Sequence, residues 1–173
     1  MTQTKPTIPA LEDGIDHVRG GAAERLILVY GDFECPYTRA AVRQIARVRR
    51  WRDVGYAFRH FPLTEIHPHA LAGSAVAEAA ALQHRFWEMH DLLFRRQTAL
   101  EDDDLRRYAG ELGLDRPRFD VDRAGAAVLG RIRRDVDGGL ASGQVQGTPT
   151  LVIEGAVYRG DYDAASLAEV LAR

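Results

Sequence analysis

One side chain in this sequence offers a nucleophile for covalent chemistry: Cys35, the single cysteine of 173 residues, set in Phe33-Glu34-Cys35-Pro36-Tyr37-Thr38. Proline is well placed at the first position of a helix, where its missing N–H would be unpaired in any case. Cys35-Pro36 therefore reads as an N-cap followed by a helix start. That sets the sulfur against unpaired backbone N–H groups and the positive end of the helix dipole. Both favour the thiolate, which is the form that attacks disulfides. Glu34 opposes this by like-charge repulsion, while Thr38, one turn on, can offer its hydroxyl to the anion. A lone cysteine more commonly packs as a small buried hydrophobe. The Cys-Pro pair at a strand-to-helix junction argues instead for a functional thiol, which has to be reachable from solvent. A single cysteine cannot close a disulfide within the chain, so any disulfide it forms is with another molecule.

The other candidates carry less chemistry. His67 and His69, with Glu65 nearby, match no metal-ligand spacing and read as loop residues ahead of a helix, so no metal is expected. His60 falls in a strand, facing either Cys35, where it would serve as a base, or solvent. His90 sits on the apolar side of a helix and reads as a hydrogen-bonded core histidine. Phe86 and Trp87 read as core rather than cofactor contacts. Gly138-Gly139 lies within a helical stripe, not between strand and helix, so no phosphate-binding loop and no bound cofactor are expected.

Periodicity supplies the elements that must position these residues. Residues 25–30 (RLILVY) form a nearly continuous apolar run, as in a strand buried on both faces. Gly31-Asp32 breaks it, and residues 36–50 follow as a helix with Val42, Ile45, Ala46 and Val48 inward and Arg43, Arg47 and Arg50 in water. A second strand spans 55–61 and stops at Pro62. From 68 to 143 the pattern is helical. Residues 70–82 are alanine-rich. Phe86, Met89, His90 and Leu93 recur at three- and four-residue spacing. Asp102 or Asp103 caps the next helix, with Leu105, Tyr108, Ala109 and Leu112 inward. Val128, Ile132, Val136 and Leu140 form an i, i+4 stripe. Strand signals return at 150–153 and 156–159 around Glu154-Gly155, and residues 164–171 close as a helix. A strand–helix–strand start implies parallel strands joined by a right-handed crossover, to which the late hairpin adds antiparallel neighbours. The expected class is α/β, a mixed β-sheet flanked by helices with an all-helical lobe inserted. The expected division is a flexible arm at 1–13, a sheet domain from 14–66 and 144–173, and a helical subdomain at 67–143.

Net charge is −2 and the isoelectric point is near 6.3, so no global field draws nucleic acid or an anionic membrane. Lys5 is the sole lysine, and the arginines at 47, 49, 50 and 52 read as a solvated helix face. No segment is apolar over the length of a membrane span, and the first residues lack a signal-peptide core. With one unpaired cysteine, the expected address is the reducing cytoplasm.

Asp32-Phe33-Glu34-Cys35-Pro36-Tyr37-Thr38 after an apolar strand resembles the active-site segment of DsbA-like proteins of the thioredoxin superfamily. Gly147-Thr148-Pro149-Thr150 is similar to the loop of that family whose threonine precedes a cis proline beside the active cysteine. RHFPLTEIHPHA and RFWEMHDLLF resemble a bacterial branch that includes domains fused to sodium/proton antiporters. The resemblance covers about residues 14–172 and implies a thioredoxin fold with an inserted helical lobe. Cys35 and Thr38 would then be the catalytic residues, and Pro36, Tyr37, Thr148 and Pro149 the substrate contacts. It also implies a cis bond before Pro149, although only about 5–6% of such bonds are cis. Thr38 departs from the pattern, standing where a dithiol enzyme has its second cysteine. The implied activity is thus a monothiol thiol–disulfide oxidoreductase, with glutathione or protein thiols and disulfides as partners and an external thiol for release. Two rivals remain: a thioredoxin-fold binding or regulatory module without turnover, and a kappa-type glutathione transferase or isomerase. Iron–sulfur bridging through Cys35 and glutathione is a minor alternative. The oligomeric state is not legible.

Overall fold

The computed structural model describes residues 7–20, 23 and 25–172. Among the described residues, five strands form one mixed sheet, β1 (His17–Arg19), β2 (Arg25–Gly31), β3 (Val54–His60), β4 (Thr150–Ile153) and β5 (Ala156–Tyr158), in the order β1-β3-β2-β4-β5. β2 and β3 run parallel, and every other neighbouring pair is antiparallel. The uninterrupted apolar run of β2 is explained by its central place, with Ile27, Leu28, Val29 and Tyr30 all buried. β1 has no sequence signature. Three residues at a sheet edge are too few for a period, and only pairing with β3 makes them a strand.

Between β2 and β3 runs α1 (Pro36–Val48), capped by Cys35 in extended conformation with Pro36 in its first turn. Thr38, Ala41, Ile45 and Val48 are its buried residues, at helical spacing, and Arg43, Arg47 and Arg50 are exposed as expected. Burying Ile45 and Val48 contributes roughly 1.5–3 kcal/mol each. Arg49 differs from its neighbours: its Nε donates to the Val54 carbonyl at 2.7 Å, tying the end of α1 to the start of β3.

Five helices lie between β3 and β4: α2 (Ala70–Ala81), α3 (Phe86–Arg95), α4 (Asp102–Glu111), α5 (Arg116–Asp122) and α6 (Ala126–Ala141). α2 buries Gly73 through Ala80, and its small side chains allow the close approach of α3 and α6. Glu101, rather than Asp102 or Asp103, is the N-cap of α4, which leaves those acids in the first turn, where the helix dipole favours them. The α6 stripe ends differently from expectation. Val128 and Ile132 are buried, but Leu140 is 57% exposed, and Gly139 takes the inward place. A Cβ there would lie 3.1–3.3 Å from Tyr30, Phe61 and Val145, tighter than ordinary contact, so glycine suits the close approach of α6 to the sheet. α7 (Ala164–Val170) closes the chain against α1, its N-terminal amides at Ala165 and Ser166 capped by the Asp163 carboxylate.

Of the arm expected at 1–13, residues 1–6 lie outside the described residues. From residue 7 the chain is seated on the sheet. Ile8 is buried with Leu28, Tyr30 and Val152, and the Pro9 and Ala10 carbonyls accept from the Arg59 guanidinium at 2.8 Å each.

Candidate functional site

The segment from β2 to α1 is held by three side chains that the sequence reading passed over or read otherwise. Asp32 is completely buried, and its carboxylate accepts from the backbone N–H of Glu34 and of Leu63 and from His67 Nδ1, each at 2.8 Å. A buried charge without such partners would be costly. Gln97, just beyond α3, donates its amide to the carbonyls of Phe33 and Cys35 at 2.7 and 2.9 Å. Glu34 turns away from the sulfur and accepts from the backbone N–H of His69 at 2.6 Å, so its carboxylate serves the start of α2. His67 and His69 are therefore loop residues with structural partners. His69 also pairs with Glu101 at 3.3 Å, and neither partner is Glu65.

Cys35 emerges from this frame at the N-terminus of α1. Its Sγ donates to the Thr148 carbonyl at 3.4 Å, and the Thr148–Pro149 bond is cis. Two segments 113 residues apart in sequence thus meet at the sulfur. Contrary to the solvent-reachable thiol expected from the sequence, Cys35 is buried, 3% exposed. Its surroundings are the accessible part of the site: Tyr37 is 65% exposed, Pro36 is exposed, and Thr148 and Pro149 are half-buried. A groove of about 420 Å³ runs from the Gly147–Thr150 loop to Tyr158 and Arg159. The Thr148 hydroxyl is buried without a hydrogen-bond partner, whereas Thr150 donates to the Gly147 carbonyl at 2.7 Å and fixes the loop. Thr38 is fully buried, its Oγ1 accepting from the Asp32 N–H at 3.4 Å. Burial raises the Tyr162 phenol above its ordinary value, and the charges of Cys35 and Tyr37 add to that.

His60 corrects the sequence reading. It is fully buried and faces neither Cys35 nor solvent; its Nε2 lies 2.6 Å from Glu78 Oε1 on α2. His17 Nε2 meets the same oxygen at 2.7 Å. Burial alone would raise the Glu78 carboxyl, and the hydrogen bonds and charges of the two histidines outweigh it, holding the group well below the usual carboxylate range. His90 is the satisfied core histidine expected, with Nε2 at 3.0 Å from the Tyr56 hydroxyl and Nδ1 at 2.9 Å from Asp91.

Of the residues passed over, Glu78 carried a signal: it is the single charged residue of ALAGSAVAEAAA. Gln97, Tyr162 and His17 had none, since their partners lie 61 to 127 positions away in the chain; Asp32 has one local partner, Glu34, but its contacts with Leu63 and His67 lie 31 and 35 positions away.

The fold compares closely with solved structures. A thioredoxin-like oxidoreductase from Silicibacter pomeroyi DSS-3 superposes with a TM-score of 0.80 at 23% identity, covering 93% of this chain and 92% of that one. Oxidised BdbD from Bacillus subtilis gives 0.79 at 16% identity, over 98% and 97%. Among curated sequences, the Na(+)/H(+) antiporter NhaA 3 of Salinispora tropica is 45% identical over 156 residues, 88% of this chain and 24% of that protein. The antiporter NhaA of Herminiimonas arsenicoxydans is 42% identical over 166 residues, 94% and 26%. The chain thus spans about a quarter of the length of these curated relatives. The family model described as Thioredoxin matches residues 13–173, and with the sheet order and the Cys35–Thr148 contact already in place, the chain belongs to the thioredoxin family.

Proposed function

We propose that this chain is a DsbA-like oxidoreductase that exchanges thiols and disulfides through Cys35 in a monothiol cycle, with glutathione as co-substrate. The observation that supports it most is the Cys35 sulfur at the start of α1, 3.4 Å from the Thr148 carbonyl, with Thr38 where a resolving thiol would stand. The Cys35 thiolate attacks one sulfur of a disulfide R–S–S–R′. The S–S bond breaks, R′–S⁻ leaves and takes up a proton, and Cys35 is left in a mixed disulfide with R. The thiolate of an external thiol then attacks the R sulfur and expels Cys35, so the disulfide is carried off on R and the protein returns reduced. The Thr148 backbone offers an edge to an extended peptide or to the cysteinyl part of glutathione, with Pro36, Tyr37 and Pro149 as flanking contacts. Thr38 supports the anion through its hydroxyl. A lone thiol that depends on an external reductant suits the cytoplasm. Because the relatives bear an antiporter's name over a length of which this chain matches about a quarter, we place this thiol module beside such a membrane protein.

The test is incubation with glutathione disulfide followed by intact-mass measurement. One glutathionyl group on the wild-type chain, removed by free glutathione and absent from Cys35→Ser, is expected; an unmodified wild-type chain overturns the cycle. The 3% exposure of Cys35 favours one second reading, a non-covalent binding module. Partners captured equally by wild type and Cys35→Ser would support that reading against the first. Glutathione-transferase turnover that survives Cys35→Ser would instead point to kappa-type chemistry.

A further inference from the structure

We propose that His17, His60 and Glu78 form a binding site for a divalent transition-metal ion of the zinc class, independent of the reaction at Cys35. The three residues come from β1, β3 and α2, and their ligand atoms all lie within 4.8 Å of one another. In the sheet His17 pairs with Phe58, so His60, two residues further along β3, projects on the same face. Glu78 descends on that pair from the helix above.

The local chemistry is unusual for packing alone. α2 is otherwise built of small and apolar side chains, yet it carries one carboxylate into the interior, and two imidazole nitrogens converge on a single oxygen, Oε1, at 2.6 and 2.7 Å. His60 is fully buried among Phe33, Phe58 and Phe86, and its Nδ1 has no hydrogen-bond partner. Ser74 is also fully buried with an unpartnered hydroxyl, one turn before Glu78 and so on the same side of α2. The Ser74 hydroxyl is thus an orphaned polar atom on the Glu78 side of the donor set, which a core that only needed filling would not keep.

Two imidazoles and a carboxylate are the donor set that zinc takes in open, three-ligand sites, at bond lengths of about 2.0–2.2 Å. A tetrahedral arrangement separates such donors by about 3.3 Å, so the pairs at 2.6 and 2.7 Å must open by roughly 0.6–0.7 Å through side-chain rotation. Binding puts the imidazole protons on Nδ1 and leaves the fourth position to water. Calcium and magnesium prefer all-oxygen sites and are disfavoured here. The ion enters from the side of His17, the most open of the three at 16% side-chain exposure, on the edge strand. Once bound, it would join the edge of the sheet to the helical block. The ring of Phe33, two residues before Cys35, packs against His60 with ring centres 6.0 Å apart.

The experiment is titration of the full chain, free of any affinity tag, with cobalt(II), read by visible absorption and then by displacement with zinc(II). Cys35→Ser serves as the background, so that the thiol cannot contribute as a ligand. One equivalent of cobalt with intense d–d bands, displaced by zinc, is expected, together with at least a tenfold loss of affinity in His17→Gln and none in His69→Gln. His17 stacks on the buried Phe86 ring, with ring centres 3.4 Å apart, so circular dichroism and thermal melting of His17→Gln check that the fold is kept before its affinity is read. Absence of the bands, an unchanged affinity in His17→Gln, or an equal loss in His69→Gln overturns the site. None of these readouts depends on glutathione transfer, so the two proposals fail separately.

Discussion

At the scale of single residues, His90 shows how a polar core group becomes a pH sensor of stability. Burial is the largest cause that brings its pKa down, to about 4, only partly offset by the hydrogen bond and charge of Asp91. Tyr56, Asp91 and, further off, Arg19 and His60 are the polar and charged groups around it. The neutral ring fits this setting: Nδ1–H donates to Asp91 and Nε2 accepts from Tyr56. An unfolded chain takes up the proton near the ordinary value of 6.5, so between pH 6.5 and 4 it binds more protons than the folded chain. Stability is therefore full above pH 6.5 and falls as the pH drops toward 4, by roughly 3 kcal/mol for this group. Urea denaturation at pH 7, 5.5 and 4.5 measures the slope, which becomes shallower in His90→Gln.

The junction between β2 and α1 is the element on which the chemistry depends, and Gly31 sets its geometry. A Cβ on Gly31 would come within 2.8 Å of the Thr38 methyl and closer still to the Phe58 ring, neither of which can move without disturbing the cap of α1 or the core. Gly31→Ala is expected to cost about 1–3 kcal/mol by overpacking. Because Thr38 stands one turn from Cys35, the same change should slow mixed-disulfide formation at a fixed glutathione concentration. Thermal melting and the mass-shift rate, measured on one sample, check both effects. A normal melting temperature with normal thiol reactivity would show the junction to be more pliant than its packing indicates. Gln97 belongs to the same scale, since one amide binds the carbonyls on either side of Glu34 and so ties the segment to the end of α3.

Across the whole molecule, the N-terminal segment, the sheet and α6 are joined by charge. Arg59 on β3 is almost wholly buried and meets the Asp16 carboxylate through two nitrogens, at 2.9 and 2.8 Å, while donating also to the Tyr30 hydroxyl and to the Pro9 and Ala10 carbonyls. Arg134 from α6 reaches Asp16 and Glu12, and Asp135 accepts from the His60 N–H at 3.0 Å. Asp16→Asn leaves the buried guanidinium without its counter-charge and is expected to destabilise the chain by about 3–5 kcal/mol. Equilibrium denaturation gives the value. Limited proteolysis should also find residues 7–16 newly cleavable, because the same arginine holds that segment.

The sequence by itself determined the local facts: a strand broken by Gly31-Asp32, a helix begun by Cys35-Pro36, helices between the strands, and a late hairpin. Each rests on a period or a breaker within a few neighbouring residues. The meeting of Cys35 with Thr148 entered only through resemblance, because no local rule brings together residues 113 positions apart. Tertiary structure decided the rest. It made a strand of residues 17–19, turned His60 from the thiol toward Glu78, sent Glu34 to the start of α2, and set Gly139 in place of Leu140. In each case the outcome depended on what packs across the chain, since hydrogen bonding and close contact act between neighbours in space, whatever their separation in sequence.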